Sequence, residues 1–267
     1  MNLFICWIAT QIITESMPIS SSGHLLLLQS YFKNYFSFDI EKYVVKHSLS
    51  LKALYYFLHG PTLLVISIYF FNEWYGLLRS SRLLSIMLWI AIADGITVVF
   101  YLFKSRIEHY FSLGAGLLIT ALALFSTYYC PQAKHSLNDW QLVYACCFGI
   151  IQSFAILPGI SRLAITSVGG CLLGFSLYDS FIISWLLQLP LMAGAFIFSI
   201  QDLFVRNKKQ QVLNWKLALI ILFCSLISYF FLSLVMYTLR KKIFFAWGFY
   251  MIIPLMLWWQ QRKREER

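Results

Sequence analysis

Long apolar stretches recur along the chain, and two of them are cut by short polar strings. The first runs over residues 2–17, is interrupted at 18–22, and resumes over about 23–32. Three unbroken stretches follow, at about 52–71, 83–103 and 111–129. The second interrupted stretch covers 142–157, breaks at 158–161, and resumes to about 175. Three more unbroken stretches lie at about 180–201, 217–237 and 243–259, before a polar tail over 260–267 that is expected to be solvated. The unbroken stretches approach the ~20 apolar residues that cross a bilayer as a helix. Each half of an interrupted stretch is too short to cross, and the middle is polar. A hairpin that dips into the membrane and returns to the same side is the expected form, because broken backbone at membrane depth is tolerated only where protein or a cavity surrounds it.

The chain therefore divides into two similar units, about 1–129 and 142–259, each a re-entrant hairpin plus three spans, within a single membrane domain. An odd number of spans per unit inverts the second copy relative to the first. The expected fold class is an all-α polytopic membrane protein with an inverted repeat, its site near the midplane where the two broken helices meet.

Composition agrees with this pattern. The 267 residues are 60% hydrophobic and 12% charged, with a mean hydropathy of +0.71. That is too apolar for a soluble domain of this length. The formal charge of +10 belongs to loop lysines and arginines that face anionic lipid, since no basic folded domain is present to carry nucleic acid. On this topology, 14 of the 21 Lys and Arg fall on one side, from Lys33 to Lys52, at Lys104 and Arg106, from Arg206 through Lys208 and Lys209 to Lys216, and in the tail to Arg267. Six fall on the other side, and Arg162 is left in the membrane. The positive-inside rule then makes the richer side cytoplasmic, with both termini. The N-terminus lacks a positive n-region, and Gln11 and Glu15 interrupt its apolar core, so it is expected to be retained as the first membrane element. The six cysteines show no C-x-x-C spacing and five lie in apolar runs, as packing residues do.

The polar strings hold the chemistry. Gln11 and Glu15 are spaced i, i+4 and share a helix face. Glu15 suits metal coordination or acid–base work on a phosphate, and the alternative is a carboxylate that reaches the interface from a helix end. Pro18-Ile19-Ser20-Ser21-Ser22-Gly23-His24 follows. One serine caps the next helix; three, followed by Gly23 and His24, make an anion site of hydroxyls and free backbone N–H groups at a positive helix end. His24 is a candidate nucleophile, general acid or phosphate ligand. The second string, Pro158-Gly159-Ile160-Ser161-Arg162, brings a guanidinium into the membrane, which is expensive without an anionic partner. Its fork matches phosphate, and the alternative partner is Glu15. Ser161 can cap the next helix, and Thr166, one turn after Arg162, can offer a hydroxyl to the same ligand. Asp94 and His59-Gly60-Pro61 lie inside spans and suit either support of the site or polar contacts between helices.

These motifs resemble the undecaprenyl-diphosphate phosphatase family of bacteria, also called the bacitracin-resistance family. Its first motif, Glu/Gln-x-x-x-Glu running into Pro-x-Ser-Ser-Thr/Ser-Gly-His, matches Gln11 to Glu15 and Pro18 to His24. Its second, Pro-Gly-x-Ser-Arg-Ser-x-x-Thr, matches Pro158 to Thr166, and Gln152 in the preceding helix also fits. The likeness covers essentially the whole chain. Leu163 stands where the family has serine, Asp94-Gly95 where an apolar proline-bearing stretch is usual, and Tyr250-Met251 where Tyr-Arg is common.

The resemblance implies hydrolysis of a polyprenyl diphosphate, undecaprenyl above all, to the monophosphate and inorganic phosphate, which recycles the carrier lipid of cell-wall synthesis. It implies catalytic roles for Glu15, Ser21, His24 and Arg162, with Ser21, His24 or water attacking phosphorus. Gln11, Ser20, Ser22, Gly23, Gly159, Ser161 and Thr166 would bind substrate. A divalent cation, Mg or Ca, would sit at Glu15 and Gln11. The location would be the bacterial inner (cytoplasmic) membrane, the site opening outward, with the lipid as partner and a homodimer as the assembly to consider. Val168 stands where the acid-phosphatase-like lipid phosphatases need histidine, which excludes that superfamily. A flippase or transporter for polyprenyl phosphate is the alternative from another class, since inverted repeats with a midplane site are also transporter features.

Overall fold

The computed structural model describes residues 2–46, 50–206 and 215–265. Lys208, Lys209 and Arg267 of the charge count lie outside the described residues. Among those described, the secondary structure is helical: α1 (Asn2–Glu15), α2 (Ser21–Phe36), α3 (Ile40–Lys46), α4 (Leu51–Phe57), α5 (His59–Tyr69), α6 (Phe71–Leu78), α7 (Leu83–Tyr101), α8 (Lys104–Glu108), α9 (Leu113–Ser126), α10 (Leu142–Ser153), α11 (Arg162–Leu172), α12 (Leu177–Ile200), α13 (Trp215–Arg240) and α14 (Ala246–Glu265). Among the described residues, four stretches are long and apolar enough to cross a membrane: Leu51–Tyr69, Leu83–Tyr101, Leu177–Leu203 and Trp215–Arg240. The chain is thus an all-α polytopic membrane protein. At ~1.5 Å per residue, the 14 residues of α1 and the 11 of α11 reach only about 21 and 17 Å, short of the ~30 Å hydrocarbon core. These are the segments that flank the polar strings.

Several boundaries differ from the sequence expectation, each for a local reason. The helix expected from residue 23 starts at Ser21, because the Ser20 hydroxyl accepts the Gly23 N–H at 3.1 Å and caps it two residues earlier. It runs to Phe36 and stops where Ser37 turns left-handed (φ 51°) and its N–H bonds back to Phe32. The span expected over 52–71 is two helices, α4 and α5, divided at Leu58. Pro61 lies in the first turn of α5, where a missing N–H costs little. The amphipathic connectors α3, α6 and α8 are additional. The tail is not free from residue 260: α14 continues to Glu265, and Gln261 is buried with its amide donating to the Leu27 carbonyl at 3.3 Å.

Helices pack in a recurring pattern. α1 lies against α13, α10 against α7, and α14 against α9, while α12 covers both α4–α5 and α11. Small polar groups tie these crossings inside the apolar bundle, as expected where lipid offers no competing partners. Ser228 Oγ donates to Ser16 Oγ at 3.0 Å between α13 and the end of α1. Gln152 of α10 donates to Asp94 Oδ1 of α7 at 2.9 Å, and Thr97 reaches the Gly149 carbonyl at 3.4 Å. Asp94 is therefore a contact between helices, one of the two roles its sequence position allows.

Candidate functional site

The two polar strings meet. A Cβ on Gly23 would stand 3.2 Å from the Gly159 Cα, so the start of α2 and the break before α11 touch with no room for a side chain. Gly159 takes φ +84°, a conformation that other residues adopt only under strain, and it is pressed against the backbone of Leu113 to Leu117 in α9. Gly23 and Gly159, expected as ligand contacts, are in this arrangement the packing points of the crossing. Thr120 of α9 locks the second break: its hydroxyl donates to the Gly159 carbonyl at 2.9 Å and accepts the Ser161 N–H at 2.9 Å. Thr120 lay in an apolar run with no motif around it, and sequence reasoning did not single it out. Ser161 in turn caps α11 by accepting the Ala164 N–H at 3.3 Å.

Replacement of Thr120 by valine keeps the shape and removes both bonds. Two buried backbone groups are left unpaired, each costing about 1–3 kcal/mol. The expected result is a clear fall in melting temperature in detergent, recovered by Thr120→Ser. A valine variant that melts as the native chain does would show that the break holds itself.

Beside the crossing lies a cavity of ≈ 810 Å³. Glu15, Ser20, Ser21, Ser22, Ser161 and Arg162 all line it, so residues of both strings share one space. Its apolar wall includes Trp7, Leu25, Leu51, Leu163, Leu191 and Met192, and its rim carries Glu41, Lys52, Lys104 and Glu108.

Glu15 is the most heavily bonded group. Its Oε2 accepts from Ser21 Oγ at 2.6 Å and from Gln11 Nε2 at 2.9 Å. Its Oε1 accepts from Gln188 Nε2 of α12 at 3.1 Å and lies 3.7 Å from His59 Nδ1. Gln188 and His59 approach from helices far away in sequence, so no local pattern reveals them; His59 was noticed only as a polar residue within a span. Tyr55 is a further neighbour of Ser21, Glu15 and Arg162.

Arg162 opens α11 with its Nε buried and without a hydrogen-bond partner, and among the described residues it forms no ion pair. The alternative expectation, a structural bridge to Glu15, is not what the structure holds. A half-buried guanidinium without an anion at the wall of a cavity is built to receive one. Ser20, Ser21 and Ser22 face it from the start of α2, so two positive helix ends border the same space.

Two expected residues stand apart. Thr166 is fully buried and its hydroxyl donates to the Arg162 carbonyl at 2.7 Å, as threonine inside a helix does when no other acceptor is near. His24 does not line the cavity. Its Nδ1 pairs with the Ser20 carbonyl at 2.7 Å, its Nε2 with the Tyr250 hydroxyl at 3.1 Å, and its ring stacks on Tyr250. In this geometry His24 braces the serine turn from behind.

The donor set does not suit a divalent cation held by Glu15 and Gln11. Both carboxylate oxygens face N–H or O–H donors, and Gln11 presents its amide N–H₂ rather than its oxygen. No group of three or more His, Cys, Asp or Glu that could hold a metal occurs among the described residues. Hard cations take six or more oxygens, with carboxylates prominent among them, and one carboxylate ringed by donors is a poor core for such a site.

A family model described as bacitracin resistance protein BacA matches residues 7–256. Relatives named undecaprenyl-diphosphatase include one from Halothermothrix orenii, 29% identical over 92% of each chain. Another, from Rhodopirellula baltica, is 32% identical over 72% of this chain and 70% of its own. A third, from Borrelia hermsii, is 29% identical over 92% of each.

Proposed function

We propose that this chain, which belongs to the bacitracin resistance protein BacA family, is a membrane phosphatase that hydrolyses undecaprenyl diphosphate to the monophosphate and inorganic phosphate. The observation that carries the reading is the unpaired Arg162 sharing one cavity with Glu15 and three serines at converging helix ends. A diphosphate headgroup supplies the anion that Arg162 lacks, and the apolar wall suits the first prenyl units. The names of the relatives point to the same substrate.

The mechanism follows from the residues in place. Arg162 and the N-termini of α2 and α11 hold the terminal phosphate and the charge that spreads over its oxygens in the transition state. Glu15 takes the proton of the attacking oxygen, which is Ser21 Oγ or a water beside it; Ser21 already donates to Glu15 at 2.6 Å. The bond from the terminal phosphorus to the bridging oxygen breaks, and the lipid monophosphate leaves with that oxygen; where water attacks, inorganic phosphate is formed at once, and where Ser21 attacks, a water then cleaves the phosphoserine P–O bond, returning the serine hydroxyl and releasing inorganic phosphate. A leaving phosphate is stable as an anion, so a general acid at that end is dispensable. The site residues, the inner-membrane location and the carrier-lipid recycling role are parts of this proposal.

An inverted repeat is also proposed. The packing supports it: α1 against α13 corresponds to α10 against α7 when the two units exchange, while α9–α14 and α4/α5–α12 map onto themselves. The rim residues Glu41, Lys52, Lys104 and Glu108 lie on the side that the positive charges make cytoplasmic, whereas the family likeness implies an outward opening. Impermeant thiol labelling of Glu41→Cys in intact cells separates the two, labelling from outside meaning that charge bias does not set the orientation.

The deciding experiment is phosphate release from undecaprenyl diphosphate by the purified protein in detergent, beside lipid exchange in proteoliposomes. Release with saturation is expected. Lipid movement without release would replace this reading by the transport alternative.

A further inference from the structure

The second oxygen of Glu15 faces a group to which the mechanism above gives no role. His59 opens α5 directly after the Leu58 break. It is 7% exposed yet lines the cavity. Its ring is held edge-on to Tyr55 (centroids 5.1 Å, 76°) and stacked with Tyr56 (6.3 Å, 25°), so its direction is set by packing. Nδ1 is buried with no hydrogen-bond partner, 3.7 Å from Glu15 Oε1. A buried ring nitrogen without a partner is costly, and native structures rarely keep one without a use. What sets His59 apart from the other buried polar groups is that its unpartnered nitrogen faces the Glu15 carboxylate inside the cavity lining.

We propose that His59 is a positioning residue for Glu15. When substrate fills the cavity, its Nδ1–H closes onto Oε1, and with Gln188 it turns the carboxylate so that Oε2 faces the attacking oxygen at Ser21. A shift below 1 Å converts 3.7 Å to a hydrogen bond, and catalytic hydrogen bonds are often long until the site is filled. Oε2 then has Gln11 and Ser21 as donors, and Oε1 has Gln188 and His59. Each oxygen is held by two groups, and the carboxylate plane is fixed. The break at Leu58 gains a purpose: it starts a new helix at the height where a side chain can reach Glu15 across the cavity. This inference rests on the reading of Glu15 as the group that activates the attacking oxygen.

The test uses the full chain in detergent with undecaprenyl diphosphate. His59→Leu keeps the bulk and removes the donor. His59→Asn returns an N–H near the place of Nδ1. Misplacing a catalytic group by about 1 Å can cost on the order of 100-fold, so His59→Leu is expected to lower kcat by about 30-fold or more while KM stays within about twofold. His59→Asn is expected to recover most of that loss. A leucine variant with native kcat, or an asparagine variant as slow as a folded leucine variant, overturns the proposal. Should the leucine variant not fold, His59→Gln, whose amide sits one bond farther out, replaces it: asparagine must turn over faster than glutamine, and equal rates overturn the idea. Failure of the native chain to release phosphate is a different result, since it removes the phosphatase reading itself.

Discussion

Replacement of Arg162 by alanine is expected to lower phosphate release by about 10³-fold or more, the scale seen when a guanidinium that meets transition-state charge is removed. The expectation rests on where the side chain stands. Arg162 is at the first position of α11, at the wall of the cavity, with its Nε buried and unpartnered. It forms no ion pair among the described residues, and Asp94, the buried carboxylate within reach of its charge, keeps its hydrogen bond from Gln152 when the guanidinium is removed. Stability should therefore change little, since no ion pair is broken. This pairing of outcomes is diagnostic: melting temperature unchanged, turnover gone. A structural arginine would give the reverse. Arg162→Lys is expected to recover only part of the rate, because a lysine keeps the charge but not the fork that grips two phosphate oxygens. Native-like turnover in the alanine variant would remove Arg162 from the mechanism.

Leu163 bears on the same prediction. It is buried on the cavity wall, next to Arg162, where the family motif has a serine. Leu163→Ser adds a hydroxyl beside the guanidinium at the cost of apolar packing. A modestly lower KM for the diphosphate, read in the same assay, is the expected result, with a fall in melting temperature from the lost burial.

What the sequence revealed and what it hid divide along a physical line. Polar residues in an apolar chain are visible because they are costly there, so Glu15, the serines, Gly159 and Arg162 stood out, and all lie at or beside one cavity. The broken helices were visible for the same reason. Contacts formed across helices were not. Gln188, Thr120 and Tyr250 each sit in an ordinary apolar stretch, and only the packing of α12, α9 and α14 against the hairpins gives them partners. Direction was also invisible. Thr166 and His24 have the right spacing from the motif, yet one turns back onto its own helix and the other faces Tyr250. The two-helix form of the 52–71 span depends on a break at Leu58 that carries no glycine or proline of its own. Spacing specifies which residues share a neighbourhood; the side on which each one points is decided by what the neighbouring helices leave open.

That distinction sharpens the case for Glu15. Of the other carboxylates in or near the cavity, Asp94 is engaged by Gln152 away from the lining, and Glu41 and Glu108 sit at the rim with lysines nearby. Glu15 alone touches a serine of the phosphate-facing turn. Its four neighbours are donors or potential donors, which hold a buried carboxylate in one orientation. A base so held needs no rearrangement when the proton moves.

Glu15→Gln is therefore expected to abolish turnover, by about 10³-fold or more, within the range assigned to a positioned general acid–base group. The exchange is nearly isosteric, but it loses the charge and gives one side of the new amide an N–H₂. That group then faces the hydrogens of two of its own partners, Gln11 and Ser21 on one side or Gln188 and His59 on the other. Some repulsion follows, and a lowered melting temperature is expected with it. Glu15→Ala should melt lower still, because it leaves those partners buried without an acceptor, at about 1–3 kcal/mol for each group that finds no other. Glu15→Asp keeps the charge and withdraws it by one methylene. It should fold best of the three and yet turn over slowly, since the carboxylate no longer reaches Ser21 at 2.6 Å. The ordering matters more than any single rate. If Asp restores both stability and activity, the charge alone suffices and the geometry around Ser21 is incidental. If Gln turns over at the native rate, Glu15 takes no proton, and the attacking oxygen must be activated from elsewhere in the cavity.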